Sequence, residues 1–269
     1  MIYFLTFSNS GYMNTERIAN QAKEFQLFDD IIQLNEMDIS EYIEKHKIFI
    51  MNNTPGYGRW IWKPKIIYDT LLKMNENDIL FYSDAGTYLN IHGKNRFLEY
   101  VEILQKNENS LITFSTNGGY YAKQYVKIDA VLHYYKDRHN EFFNDNRLAC
   151  YAGIMLIKKN NESLSLIKDW LDLCENYHFL DSSQSYNPEN TFFAGNDGDN
   201  GLFNLCLTKH KIHHSIYPDE TNIYDVNNQQ IHHTTTNIPT TMWNELNDKP
   251  IQVRRITPKF IHEYNKYNK

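Results

Sequence analysis

Cysteine is scarce in this chain. Cys150, Cys174 and Cys206 are its only three, far apart and without a CxxC pair. That spacing excludes a disulfide framework and a zinc ribbon and fits a reducing, cytoplasmic setting. Long apolar runs are missing too: no stretch approaches the ~20 residues needed to span a bilayer, so a soluble protein is expected. The short apolar stretch 1–7 carries no basic leader and no cleavage-like site, and is expected to be a first strand instead of a signal peptide. A basic balance is also absent. With 33 acidic against 27 basic residues the net charge is −6, which argues against nucleic acid as a partner. Repeats and linker-like segments are lacking, so residues 1–269 are expected to form a single domain.

What the chain has is aromatic surface and alternation. Aromatics make up 14 % of it, with 20 Tyr and 15 Phe, and most are expected in the core or half-buried. The first half alternates strand and helix signals, the pattern of an α/β protein with a mainly parallel sheet and helices on both faces. Ile2–Phe7, 47–51, Ile79–Ser83 and Leu111–Phe114 are short apolar runs without a polar stripe, as strands covered on both faces require. Helices are predicted after Asn14, carrying Ile18, Ala22 and Phe25 on one face, then over 65–73 behind Pro64, and over 94–104. A strand is predicted within 148–157. It is followed by a helix over 161–175, a long polar loop over 177–200, a helix over 199–209 and strands near 212–217 and 257–262. Loops as long as 177–200 in a compact domain are usually binding loops.

Chemistry-bearing residues cluster around two segments. The strand Ile79–Ser83 runs into Asp84-Ala85-Gly86, and a carboxylate at a strand tip lies where open α/β sheets bind ligands. An Asp there is also an ordinary turn residue. Upstream, Trp60-Ile61-Trp62-Lys63-Pro64 supplies aromatic faces and a cation at the start of a helix. Lys63 and that helix terminus can meet a diphosphate, whereas Trp60 and Trp62 either stack on base or sugar or pack the loop on the sheet. Asp197 and Asp199 stand at a loop-to-helix junction. Either can hold sugar hydroxyls or act as a general base, or Asp199 simply caps the helix.

These segments resemble the GT-A-fold glycosyltransferases. They are most similar to glycosyltransferase family 8 and to small bacterial and viral relatives with a Trp-x-Trp-Lys-Pro segment ahead of an Asp-Ala-Gly turn. Tyr151-Ala152-Gly153-Ile154-Met155-Leu156-Ile157 is similar to the family's acceptor-side strand, and Asp199-Asn200-Gly201-Leu202-Phe203-Asn204 to its Asp-Gln motif. The resemblance implies a nucleotide-diphospho-sugar (Rossmann-like) fold, with residues 1–115 forming the nucleotide-sugar half and 116–269 the acceptor half and tail. It implies transfer of a sugar from a UDP- or GDP-sugar to a glycan or lipid-linked acceptor, as in surface polysaccharide synthesis. The implied cofactor is Mn²⁺ (or Mg²⁺), held by Asp84 and by His262, with His232 and His233 as the rival pair. The implied donor grip is Thr6, Phe7, Ser8, Arg17, Trp60, Trp62, Lys63, Asp84, Ala85 and Gly86. Gly86 stands where the family has its second Asp, Asn200 where it has Gln, and Tyr151 where it has Asn.

Two further function classes stay open. A nucleotidyltransferase shares the sheet, but the loop Ser8-Asn9-Ser10-Gly11-Tyr12 has one Gly and no cation. A non-catalytic carbohydrate-binding protein is compatible with the missing second Asp. The basic, aromatic tail (Arg254, Arg255, Lys259, Lys266, Lys269) reads first as a solvated end and second as a peripheral membrane contact.

Overall fold

Apolar runs with no polar face have to be covered on both sides, and the computed structural model builds its centre from them. It describes residues 1–12, 14–106, 110–116, 119–212, 216–217 and 249–252. The strands are β1 (Ile2–Phe7), β2 (Asp30–Leu34), β3 (Ile79–Ser83), β4 (Tyr88–Leu89), β5 (Leu111–Phe114), β6 (Ile154–Lys158), β7 (Ile216–Tyr217) and β8 (Ile251–Gln252). Six of them form one sheet in the order β2-β1-β3-β6-β5-β7, and β4 pairs with β8 in a small second sheet. Within the large sheet β6 runs against its neighbours β3 and β5, while β2, β1, β3, β5 and β7 share one direction. The fold is mixed α/β with a mainly parallel sheet, as expected.

The helices are α1 (Glu16–Phe25), α2 (Ser40–Lys45), α3 (Lys47–Asn52), the single turn α4 (Gly56–Arg59), α5 (Trp62–Lys73), α6 (Lys94–Lys106), α7 (Ile128–Tyr135), α8 (His139–Asn144), α9 (Asn161–Cys174), α10 (Tyr177–Leu180) and α11 (Asp199–Lys209). Period-2 alternation divides the strand side chains between two apolar layers. Phe4, Ile79 and Phe81 meet Ile18, Ala22 and Phe25 of α1 and Phe97 and Tyr100 of α6. On the opposite face Leu5, Phe7, Leu80 and Tyr82 meet Ile66 and Ile67 of α5, Trp170 of α9, and Leu202 and Phe203 of α11. Asn160 starts α9 with a reciprocal cap, its Oδ1 accepting from Ser163 N (2.8 Å) while Ser163 Oγ accepts from Asn160 N (3.1 Å).

Three expectations about elements change. Residues 47–51 are helical instead of extended: His46, Phe49 and Ile50 are buried while Ile48 and Met51 face out, a spacing of three and four. A short apolar run does not distinguish the two periods by itself. The edge strand β2 escaped notice because Asp30 and Gln33 dilute its apolar signal. The strand within 148–157 starts only at Ile154, and α5 begins at Trp62, placing Pro64 inside its first turn, where no intrahelical N–H is needed. The expected strand at 257–262 lies outside the described residues, as do His232, His233, His262 and the basic tail. No helix among the described residues is long and apolar enough to cross a membrane.

Candidate active site

The chain leaves β1 through α1 to reach β2 on one side, then crosses back through α2–α5 to place β3 on the other side of β1. The carboxyl ends of β1 and β3 therefore flank a topological switch point, the crevice where open α/β sheets take ligands. Asp84 is the first residue beyond β3 at that point. Its N–H donates to Gly153 O (2.8 Å), and its own carbonyl accepts from Thr87 N (3.0 Å), which closes the Asp84-Ala85-Gly86 turn.

Residues two apart in an extended chain share a face, so Tyr82 and Asp84 both point toward α5 and α11. The Tyr82 phenol donates to Asp84 Oδ1 at 2.5 Å. Lys63, in the first turn of α5, brings its ammonium to 3.4 Å from Asp84 Oδ1 and 3.1 Å from Asp199 Oδ2. Asp84 Oδ2 lies 3.5 Å from the same nitrogen. The three groups differ sharply in access: the side chains of Lys63 and Asp199 are each 4 % exposed, while that of Asp84 is 38 % exposed. One half-open carboxylate thus stands in front of a buried ammonium, with a second, buried carboxylate behind it. Gly153 makes room for this packing, since a Cβ there would fall 2.6 Å from Asp84 Oδ2.

Burial dominates the electrostatics. It pushes the Asp199 carboxyl up to about 7, against the opposing pull of Lys63 and with help from the Asp84 charge. Burial works against the Lys63 ammonium, but Asp199 and Asp84 together outweigh it and hold the lysine above its ordinary range. Burial, then the Asp84 charge and its hydrogen bond, keep the Tyr82 phenol protonated.

Asp197 is the exposed carboxylate of the α11 junction. Its Oδ2 accepts from Asn200 Nδ2 (2.8 Å), and Asn200 Oδ1 accepts from Ala152 N (2.7 Å). Ala152 adjoins Gly153, so hydrogen bonds run from the Asp84 turn across the start of β6 to Asp197. Asn204, one turn further along α11, grips both backbone groups of Cys150 from within the core, at 2.7 and 3.0 Å. Asp199 is buried instead, its Oδ2 against Lys63 and its backbone carbonyl taking the Trp170 indole N–H (2.8 Å).

The other expected donor residues gather at the same crevice, though several turn inward. Arg17 spends its guanidinium on the turn itself, donating to the carbonyls of Ala85 and Thr87 and to Gln21 Oε1. Partial burial lowers its pKa to about 10. Ala85 is buried beneath that clamp and Gly86 is partly open. Thr6, Phe7 and Ser8 have buried side chains, and the Ser8 N–H already donates to Leu34 O (3.1 Å). Trp62 is a packing residue, stacked on Phe7 with centroids 4.0 Å apart and hydrogen-bonded to Gly56 O (3.1 Å). Trp60 stays half-buried, its ring centroid 5.6 Å from Lys63 Nζ.

Four further contributors were not anticipated as such: Tyr82, Gly153, Arg59 and Asn204. The spacing of Tyr82 two residues before Asp84 on a strand was a usable signal. Arg59 ties the α4 turn to the loop ahead of α11 by donating to Leu180 O (3.1 Å) and Asn196 O (3.3 Å), which only the folded chain reveals. The backbone of residues 56–60 is left-handed throughout, with φ between 53° and 84°.

The donor set was expected to hold Mn²⁺ or Mg²⁺. Gly86 contributes no side chain, and both Asp84 oxygens already face Lys63, with Oδ1 also taking the Tyr82 phenol. No group of three or more His, Cys, Asp or Glu side chains suited to a metal occurs among the described residues. Among the described residues Asp84 is the one carboxylate of the turn, and Lys63 and Tyr82 already contact it.

No protein-family model matches the chain, and no curated protein matches it either. Among solved structures it is similar to the crystal structure of mouse xyloside xylosyltransferase 1 in its apo form. The identity is 12 % and the TM-score 0.38, over 81 % of this chain and 71 % of that one. At that distance the functional reading rests on the site.

Proposed function

We propose that this protein is a glycosyltransferase of GT-A-like architecture that moves a sugar from a nucleotide diphosphate donor to a hydroxyl acceptor. The observation that carries the reading is the half-open Asp84 carboxylate at the β1/β3 switch point, oriented by Tyr82 and Lys63 and flanked by the half-buried Trp60. The motif resemblance around Lys63, Asp84 and Asp199 supports the same reading. In it, Asp84 accepts hydrogen bonds from hydroxyls of the donor, and the half-buried Trp60 ring lies against an apolar face of base or sugar.

Asp197 takes the acceptor side, because it is the exposed carboxylate and Asn200 orients it. In an inverting displacement it removes the acceptor proton as the acceptor oxygen bonds to the anomeric carbon. The bond from that carbon to the diphosphate breaks, and its electron pair leaves on the diphosphate oxygen. Asp199 holds Lys63, and through it Asp84, without touching substrate. UDP- or GDP-sugars as donors and a glycan or lipid-linked acceptor are the substrate classes this chemistry suits.

The test is thermal stabilisation of the full chain by UDP, GDP, CMP and their sugars. Saturation at 100 times the dissociation constant adds about 2.7 kcal/mol. One nucleotide series should stabilise the wild type, and Asp84→Asn should keep the wild-type circular dichroism while losing transfer. No stabilisation by any nucleotide, or full transfer by Asp84→Asn, overturns the reading.

A further inference from the structure

Lys63 is a buried charge held between two carboxylates. It is 3 % exposed, and a lone ammonium at that depth carries a desolvation cost of several kcal/mol. The chain meets this cost with carboxylates from two distant segments, Asp84 beyond β3 and Asp199 at the start of α11, at 3.4 and 3.1 Å. The Trp60 ring closes a further side at 5.6 Å. Each neighbour faces the nitrogen, so the cation is the centre of the cluster and the carboxylates are its ligands.

We infer that the Lys63 ammonium is the built-in cation of this site, standing between Asp84 and Asp199 where a divalent ion would otherwise be held, and that the site works without a metal. Three observations agree. Gly86 removes a donor at the turn, Asp84 Oδ1 and Oδ2 lie 3.4 and 3.5 Å from Lys63 Nζ with Oδ1 also taking the Tyr82 phenol, and Asp199 Oδ2 lies 3.1 Å from the same nitrogen. A tethered ammonium does part of what a bound ion does: it cancels the Asp84 charge, fixes the carboxylate rotamer and keeps an arriving diphosphate from meeting bare carboxylates. It adds no vacant coordination position, so the reacting groups must be held by side chains alone. The diphosphate part of this inference rests on the function proposed above; the cation part does not.

The experiment follows Mn²⁺ by electron paramagnetic resonance at pH 8, with metal alone and no nucleotide, on the full chain. Wild type should bind no Mn²⁺ that Asp84→Asn abolishes. Lys63→Ala, which leaves two carboxylates facing a gap, should acquire a stoichiometric Mn²⁺ site that Lys63→Ala/Asp84→Asn lacks. An Asp84-dependent Mn²⁺ site in wild type overturns the inference, as does a folded Lys63→Ala that gains none. Should circular dichroism show Lys63→Ala unfolded, the wild-type comparison decides alone. In parallel, any nucleotide that stabilises the wild type should do so equally in EDTA; stabilisation that vanishes in EDTA also overturns the inference. Absence of nucleotide binding under every condition sinks the glycosyl-transfer reading and leaves the Mn²⁺ result standing.

Discussion

A single atom decides how Asp84 is presented. The hydrogen of Gly153 occupies the one direction in which a Cβ would sit 2.6 Å from Asp84 Oδ2. That carboxylate has little freedom to yield, because Tyr82 holds its other oxygen and its backbone N–H is bound to Gly153 O. Gly153→Ala should therefore displace the carboxylate and leave the sheet in place. Misplacement on the order of 1 Å costs about 10²-fold in rate. The expected result in a transfer assay is a loss of that size in kcat/KM with the melting temperature nearly unchanged. A large fall in melting temperature, or no loss of rate, would show that the turn absorbs the methyl group. The serviceable clue to this neighbourhood was in the sequence: Tyr82 and Asp84 are two apart on a strand. The partnership with residue 153 was not, since 69 positions separate it from Asp84 and only the antiparallel pairing of β3 with β6 brings them together.

Between elements, the loop joining α10 to α11 is fastened by buried charges instead of apolar packing. Asp129 of α7 accepts from His178 Nε2 (2.7 Å), from the backbone of Tyr186 (2.6 Å) and from both the backbone and side chain of Asn187. Lys127 reaches Asp181 (2.8 Å) and Ser183 (3.0 Å) beside it. Length and polarity marked this segment as a binding loop; the anchors that hold it were not visible, because Asp129 and Lys127 lie on a different element. Burial alone would raise the Asp129 carboxyl, yet the bonds from His178 and Asn187 bring it down to about 2. A depressed carboxylate adds stability above its unfolded value that is lost as pH falls toward the folded one. The loop should thus stay fastened at pH 4 and loosen near pH 2. Asp129→Ala leaves buried donors unsatisfied, at about 1–3 kcal/mol for the group. It should open the loop to limited proteolysis within residues 181–197 at neutral pH, and cleavage at the wild-type rate would show the anchor to be dispensable.

Across the whole molecule, Asp129 and Asp199 pull stability in opposite directions with pH. Asp199 is raised from 3.8 to about 7, chiefly by burial, so between those values the folded chain holds a proton that the unfolded chain has released. Stability from this group is therefore largest at the acid end of that window and falls as pH rises through it. Urea midpoints recorded from about pH 4 to about pH 8 should decline in the wild type over this range and decline less in Asp199→Asn, which has no proton to lose. Parallel profiles for the two proteins would place the Asp199 titration elsewhere. The cluster that causes this behaviour also joins two helices on the same face of the sheet: α5 brings Lys63, α11 brings Asp199, and the turn after β3 supplies Asp84.

The sequence by itself determined the apolar strands β1, β3, β5 and β6 and the helices α1, α5, α6, α9 and α11. Those signals are local: a hydrophobic period, a cap or a proline acts within a few residues of itself. It misassigned 47–51, where a run of five residues satisfies both periods, and passed over the diluted edge strand β2. Only the tertiary structure decided that Lys63 is sealed between two carboxylates, that Asp197 and not Asp199 faces out, and that Trp62 packs while Trp60 stays half-open. Exposure and charge pairing are set by which distant segments meet. At this site those meetings span residues 63, 84, 153 and 199, a separation that no local pattern encodes.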